Sequence, residues 1–262
     1  MTKRKKDLGK KHFMISVLLG LIALVSLSAA TVAWFSIADF TKVQSMNMEI
    51  TSGKNLRIDL DPHMTFDEYV HTLHFSQIAD RIQRDMGYDM RQVPLEPVTT
   101  DNVSVFTYQD GTVAEKKSGA YLEFVLHFMA TDDMLVHLTS ANSTGGKDGT
   151  LVSSSNQNLP ESMRISFTVN GSTYIYAPGM GDQSSSVGNI KRFGLPGSGQ
   201  MVLNENNQMF WLKKDVDCPV TVHVWLEGTD PSCTDQLRRA DYSIQLRFEG
   251  TDEEQHAAAG EN

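Results

Sequence analysis

Two histidines, His71 and His74, are the first residues whose types and spacing suggest chemistry. They stand three positions apart, so on a helix both imidazoles would lie on one face, and imidazole is a common zinc ligand. A zinc site needs further ligands, and the HExxH pattern is missing from this chain. Surface or interface histidines are therefore the simpler interpretation, and no metal site is predicted.

A short acidic segment is the second place where side chains suggest ion binding. Its carboxylates are Asp59, Asp61, Asp67 and Glu68. Calcium sites of the helix-loop-helix type alternate acidic residues around a glycine at the sixth position, and that arrangement is missing here. An ordinary acidic loop is the prediction.

A serine nucleophile would have to be Ser198, which lies in Pro196-Gly197-Ser198-Gly199-Gln200. A nucleophile elbow needs glycines two residues to either side of the serine, and this segment lacks them. Neither glycine-rich phosphate-binding pattern occurs, and no histidine and cysteine are paired as in a thiol enzyme. The sequence predicts no catalytic residue and no cofactor, so a non-enzyme is expected.

The chain has two cysteines, Cys218 and Cys233. A disulfide between them would close a short loop in an oxidising compartment, whereas two free thiols are equally compatible with the sequence. The spacing alone leaves the two outcomes open, because a bridge requires a specific geometry.

The amino-terminal segment resembles an export signal. Its head is basic, and no charged residue follows from Phe13 to Ala38. The strongly apolar part is Val17 to Val25, and small residues follow it. This favours a signal peptide over residues 1–33, cut after Ala33 or after Ala30. Residues 13–38 are also long enough to cross a bilayer, so retention as a membrane anchor is the alternative.

The remainder of the chain is acidic. Without residues 1–33, 17 basic and 31 acidic residues remain, a net charge of -14. Such a charge repels nucleic-acid phosphates and favours solubility or docking on basic partners, so no nucleic-acid partner is predicted.

Alternating apolar and polar residues predict a mainly β fold. Ten segments have β-branched or aromatic clusters bounded by turn residues. This number is typical of an antiparallel, jelly-roll-like β-sandwich over residues 34–249, followed by a disordered acidic tail, 250–262. Val220–Leu226 and Tyr242–Phe248 alternate most clearly and are expected to line the core. The predicted strands are 46–50, 56–60, 103–108, 121–129, 134–139, 163–169, 173–177, 208–212, 220–226 and 242–248.

One stretch predicts a helix instead. Between Thr65 and Ile82, apolar residues recur at near-helical spacing, and Thr65 with Glu68 forms a capping-box pattern. This short helix is expected to pack one apolar stripe on the sheet. Glycine-rich and serine-rich segments, including Gly179 to Gly188, are predicted loops.

The junction Ala30-Thr31-Val32-Ala33-Trp34-Phe35-Ser36 resembles the end of the signal segment in TasA and camelysin-like proteins of Gram-positive bacteria, which the signal peptidase SipW processes. Segments such as Val224 to Cys233 also look similar to uncharacterised surface proteins of Firmicutes. The resemblance implies export by a signal peptidase and a jelly-roll sandwich that assembles into matrix fibres by exchange of an amino-terminal strand. It implies no catalytic residue.

The expected role is an exported structural protein of the cell surface or biofilm matrix, whose partners are other copies or other surface proteins. A strand such as Ile37 to Ile50, freed by cleavage, would pair with a neighbouring copy, whereas pairing within its own chain is slightly favoured. The alternative is a surface module that binds a ligand or glycan, with Trp211 and Trp225 as stacking platforms. A hydrolase would require His71 or His74 to share a pocket with several carboxylates.

Overall fold

The computed structural model of the chain describes residues 47–140, 149–197, 201–234, 237 and 240–252. By its internal contacts the chain divides into two units, 1–42 and 43–262, and everything described belongs to the second. The signal or anchor segment 1–33, the stretch 13–38 and both cleavage positions lie outside the described residues. Within them, no helix is both long and apolar enough to span a membrane.

The described part is mainly β, as the sequence predicts. It has two α-helices, α1 (Phe75–Met86) and α2 (Asn158–Ser162), and fourteen strands. The strands are β1 (Asn47–Ser52), β2 (Leu56–Asp59), β3 (Thr72–Leu73), β4 (Pro97–Val98), β5 (Tyr121–Ala130), β6 (Met134–Leu138), β7 (Leu151–Ser153), β8 (Met163–Val169), β9 (Ser172–Tyr176), β10 (Ser184–Val187), β11 (Ile190–Phe193), β12 (Gln208–Leu212), β13 (Cys218–Glu227) and β14 (Ser243–Thr251).

The strands form two sheets. The first sheet has the order β12-β6-β14-β1-β3, and β7 also pairs with β14. The second sheet has the order β10-β11-β9-β8-β13-β5-β2, and β4 also pairs with β13. Most strand pairs are antiparallel, as predicted, but β1 with β14, β9 with β11 and β4 with β13 are parallel pairs that the antiparallel prediction did not include.

Aromatic side chains from both sheets meet in the core. The ring of Phe248 on β14 lies edge-to-face against Phe128 of β5, with centroids 5.1 Å apart, and against Phe167 of β8, at 5.4 Å. Phe210 of β12 contacts Phe128 in the same way, at 5.4 Å. The alternation in β13 and β14 places Val222 and its apolar neighbours inside, which confirms that these strands line the core.

The predicted helix over 65–82 is wrong in its first half. The Thr65 and Glu68 capping pair is present, but it starts only a 3₁₀ turn, Phe66–Glu68. The chain then becomes extended because Val70 exchanges two backbone hydrogen bonds with Ile58, each 2.9 Å. Helix α1 starts ten residues after Thr65 and lies against β5 and β1, one strand from each sheet. Pairing with strand edges therefore replaced the local helical preference.

The strand predictions have three further corrections. Residues 103–108 form no strand: Val103 has a positive φ of 61°, and Thr107 makes only isolated bridges. The predicted loop from 179 to 188 contains β10, and β11 follows it. Strand β14 continues to Thr251, where it pairs with Leu135, so the domain does not end at residue 249. The other nine predicted strands are present.

Candidate functional site

The two histidines tested for metal binding do not share a helix face. His71 lies before β3, and His74 is the residue that precedes α1. The Nδ1 atom of His74 is 3.5 Å from a carboxylate oxygen of Glu49. The prediction that both histidines lie on one helix is wrong, because the chain between them forms the extended strand β3. The hydrolase hypothesis that would use these histidines therefore gains no support.

The carboxylates of the acidic segment face different partners. Asp59 accepts a hydrogen bond from the backbone N–H of Leu60 at 2.7 Å, and Asp61 pairs with Arg81 at 2.6 Å. In the described part of the chain, no group of three or more histidine, cysteine or acidic side chains is arranged to hold a metal ion. Ser198 lies outside the described residues.

Cys218 and Cys233 are both free, half-buried thiols. Cys218 begins β13, whereas Cys233 follows the other end of that strand and bonds through its backbone N–H to Asp230. A strand rises about 3.3 Å per residue, so the two ends of β13 lie about 30 Å apart. Bridged cysteines need Cα atoms within about 7 Å, and in this structure the two thiols are unbridged and lie toward different ends of that strand.

The two tryptophans considered as ligand platforms differ in exposure. Trp225 is 2% exposed; its indole N–H donates to Glu227 at 3.1 Å, and the ring lies 5.4 Å from that of Phe106. Trp211, on the edge strand β12, is 44% exposed. Trp225 is therefore buried beneath the segment that covers the outer face of the second sheet. Of these two tryptophans, only Trp211 has an accessible ring.

A buried polar row that sequence reasoning missed crosses the second sheet. His223 on β13 lies opposite Glu123 on β5 and opposite Ser166 on β8. Its Nε2 is 3.2 Å from a Glu123 oxygen, and Lys116 bonds the other oxygen. The hydrogen bond with His223 and the Lys116 ammonium lower the pKa of Glu123 to about 2. The alternation in β5 and β13 indicates that Glu123 and His223 lie on the same kind of face. The sequence does not indicate that the two strands are neighbours, so the row could not be predicted.

This row does not form a catalytic triad. Ser166 Oγ and His223 Nδ1 are both buried without a hydrogen-bond partner, although their residues are opposite one another. The rings of Phe106 and Tyr121, stacked at 4.2 Å, lie beside the imidazole. Ser166 is 0% exposed, so a substrate cannot reach its hydroxyl in this structure. The contacts of Phe106 with His223 and of Lys116 with Glu123 instead hold the segment around these two residues on the outer face of the sheet.

A second polar cluster, also unforeseen, lies at the far end of the same face. Asp217 receives a 2.6 Å hydrogen bond from the Tyr69 hydroxyl and lies 3.0 Å from His127 Nδ1. Burial and the hydrogen bond to Asp217 raise the pKa of Tyr69 well above its usual range. These hydrogen bonds connect the segment around Tyr69 to Asp217, the residue before β13, so the cluster stabilises the fold.

A cleft opens at the carboxyl end of β13. Glu227 accepts bonds from the hydroxyl of Thr229 at 2.7 Å and from Trp225. Although burial raises the pKa of Glu227, the bonds from Thr229, Thr99 and Trp225 together hold it below its usual value. The cavity beside it measures about 880 Å³ and is lined by residues 96–99, 107–112, 228–229 and 233–234.

The sheet edge formed by β10 is open. Among the described strands β10 pairs with β11 alone, all four of its residues are exposed, and it contains neither charge nor proline. At the other edges of the described sheets, β2 bonds Val70, the Gln208 carbonyl of β12 accepts a bond from Lys191 at 2.9 Å, and β3 and β7 have two and three residues. Unpaired edges without charge or proline are the ones that accept another strand.

Comparison with known proteins gives no relative: no protein-family model, no curated protein and no solved structure matches this chain.

Proposed function

We propose that this chain is an exported structural protein of the cell surface or extracellular matrix, built on a β-sandwich that associates with other copies through β10. The observation that carries the proposal is the exposed, uncharged edge of β10. The basic and apolar amino-terminal segment supports export, and the acidic remainder suits a soluble domain outside the cell.

The chemistry of β10 favours a second copy as its partner. Backbone N–H and C=O groups along an open edge form an antiparallel pair with the same strand of another molecule. Copies with a net charge of -14 repel one another, but β10 carries no charge and lies beside Lys191 and Arg192 of β11. This edge is therefore a place where two acidic molecules can approach closely.

Exchange of the whole segment Ile37 to Ile50 is the less favoured route. Residues 47–50 belong to β1, which pairs with β14 on one side and with β3 on the other. In the described residues 47–50 this strand pairs within its own chain, and residues 37–46 lie outside the described range. Donation of the complete segment would require β1 to leave both neighbours.

Replacing Val187 by lysine is expected to weaken self-association at least about tenfold, because a charge on an edge strand opposes strand addition. Val187 is 82% exposed, so the change should not disturb folding. Sedimentation and electron microscopy of residues 34–262, over a range of concentrations, measure the effect. Val216→Lys adds the same charge at a 52% exposed loop position and should assemble like the parent. A parent protein that stays monomeric throughout contradicts the proposal.

Export can be tested by producing the protein in a Gram-positive host and determining the residue at which the exported chain begins. We expect a chain that begins at Trp34 or Thr31 in the medium, and an uncut chain when Ala30 and Ala33 are both replaced by leucine, since the peptidase groove requires small residues. Mass spectrometry of membrane and medium fractions gives the answer. An uncut parent chain confined to the membrane would identify residues 13–38 as an anchor.

A further inference from the structure

The cleft beside Glu227 has a preformed rim. The turn from Tyr108 to Thr112 is closed by two backbone bonds, Tyr108 N–H to Thr112 O at 2.8 Å and Gly111 N–H to Tyr108 O at 2.9 Å. Gly111 has a φ of +83°, which glycine adopts without strain. The carboxylate of Asp110 fixes the turn by accepting from both the N–H and the hydroxyl of Thr112. Rigid rims of this kind lower the entropic cost of binding.

Some polar side chains on this rim have no protein partner, whereas the hydroxyls of Thr107 and Thr229 donate to Thr99 and Glu227. In the part of the chain that the structure describes, the Tyr108 hydroxyl, the Gln109 amide and the Glu96 carboxylate line the cavity without a hydrogen bond or ion pair. Threonine hydroxyls, among them Thr107 and Thr229, complete the lining. Donors and acceptors of both kinds therefore converge on one concave surface, together with one aromatic ring.

The charges around the cleft select against anionic ligands. Among the described residues, its lining includes the carboxylates of Glu96 and Asp110 and no lysine or arginine. An adjoining cavity of about 410 Å³ shares Thr99 and Thr229 with the cleft. Its lining combines Arg164 and Arg192 with three carboxylates, and Arg164 is paired with one of them, Asp230. An anionic ligand is therefore repelled by carboxylates in both cavities.

We propose that this cleft binds a polyhydroxylated ligand, a glycan chain without acidic groups. Sugar hydroxyls both donate and accept hydrogen bonds, which matches the phenol, amide, carboxylate and threonine groups of the rim. The partly buried Tyr108 ring offers an apolar surface for the C–H face of a sugar ring. This binding goes beyond self-association and uses different residues, because the β10 edge contributes none to the lining.

Titration calorimetry of residues 34–262 with neutral tetrasaccharides of glucose, mannose and N-acetylglucosamine tests the proposal. We expect at least one of them to bind with a Kd below about 1 mM, which corresponds to about 4 kcal/mol. The double substitution Tyr108→Phe and Gln109→Ala removes the free hydroxyl and amide while keeping the ring, and should weaken binding about tenfold. Circular dichroism checks that the variant is folded.

Trp211→Ala is the matched control, because Trp211 is the exposed aromatic on the other sheet and lies outside the cleft. Unchanged binding in this variant supports the cleft, whereas loss of binding moves the site to Trp211 and overturns the proposal. Oligogalacturonate and oligolysine serve as charged probes. Failure of every neutral tetrasaccharide to bind, tighter binding of either charged probe, or full binding by the double variant also overturns it.

Discussion

Replacing Phe248 by alanine is expected to lower the free energy of unfolding by about 3–5 kcal/mol. Phe248 is 0% exposed, and its ring contacts Phe128 and Phe167 of the facing sheet. Its removal opens a cavity between the two sheets and ends two edge-to-face contacts at once. Because these aromatic side chains connect both sheets, neighbouring side chains cannot close the gap without moving a strand.

Urea unfolding followed by circular dichroism measures this loss. Met64→Ala is the control, since Met64 is 89% exposed and its truncation should change stability by less than about 0.5 kcal/mol. A loss below about 1 kcal/mol in Phe248→Ala would show that the two sheets do not share the core described above.

Glu123→Gln is expected to lower the free energy of unfolding by about 2 kcal/mol near pH 6. The depression of the Glu123 pKa from 4.5 to about 2 corresponds to at most ~3 kcal/mol, and solvent at the partly exposed carboxylate reduces this value. The neutral amide leaves Lys116 and His223 without a charged acceptor. The segment around Phe106 should loosen as a result.

The pH dependence of this effect has a definite sign. The pKa of Glu123 is lower in the folded chain than in the unfolded chain, so its contribution is complete above about pH 4.5 and is lost as the pH falls toward about 2. The difference between parent and Glu123→Gln should therefore shrink across that window. Glu115→Gln is the control, because Glu115 is exposed and directly precedes Lys116. The free energy of unfolding of this variant should equal that of the parent at every pH. A difference that stays constant down to pH 2 would contradict the role assigned to the charge.

The sequence by itself determined the class of fold and much of its local structure. Alternation of apolar and polar residues located nine strands, since a half-buried strand has to show one face to the core and one to water. The capping pair of Thr65 and Glu68 was also correctly identified, because it is a contact over three residues. Strand β10 was missed because three serines and a glycine-rich setting have no apolar alternation.

Tertiary structure alone decided which groups lie side by side and which surfaces are accessible. Alternation says which face a residue occupies but not which strand lies beside it, so the Glu123, His223 and Ser166 row became visible only through strand order. The same holds for the two cysteines, which are close in sequence, although Cys218 begins β13 and Cys233 follows its other end. The cleft and the open β10 edge depend on contacts between residues distant in the chain, and such contacts leave no local pattern in the sequence.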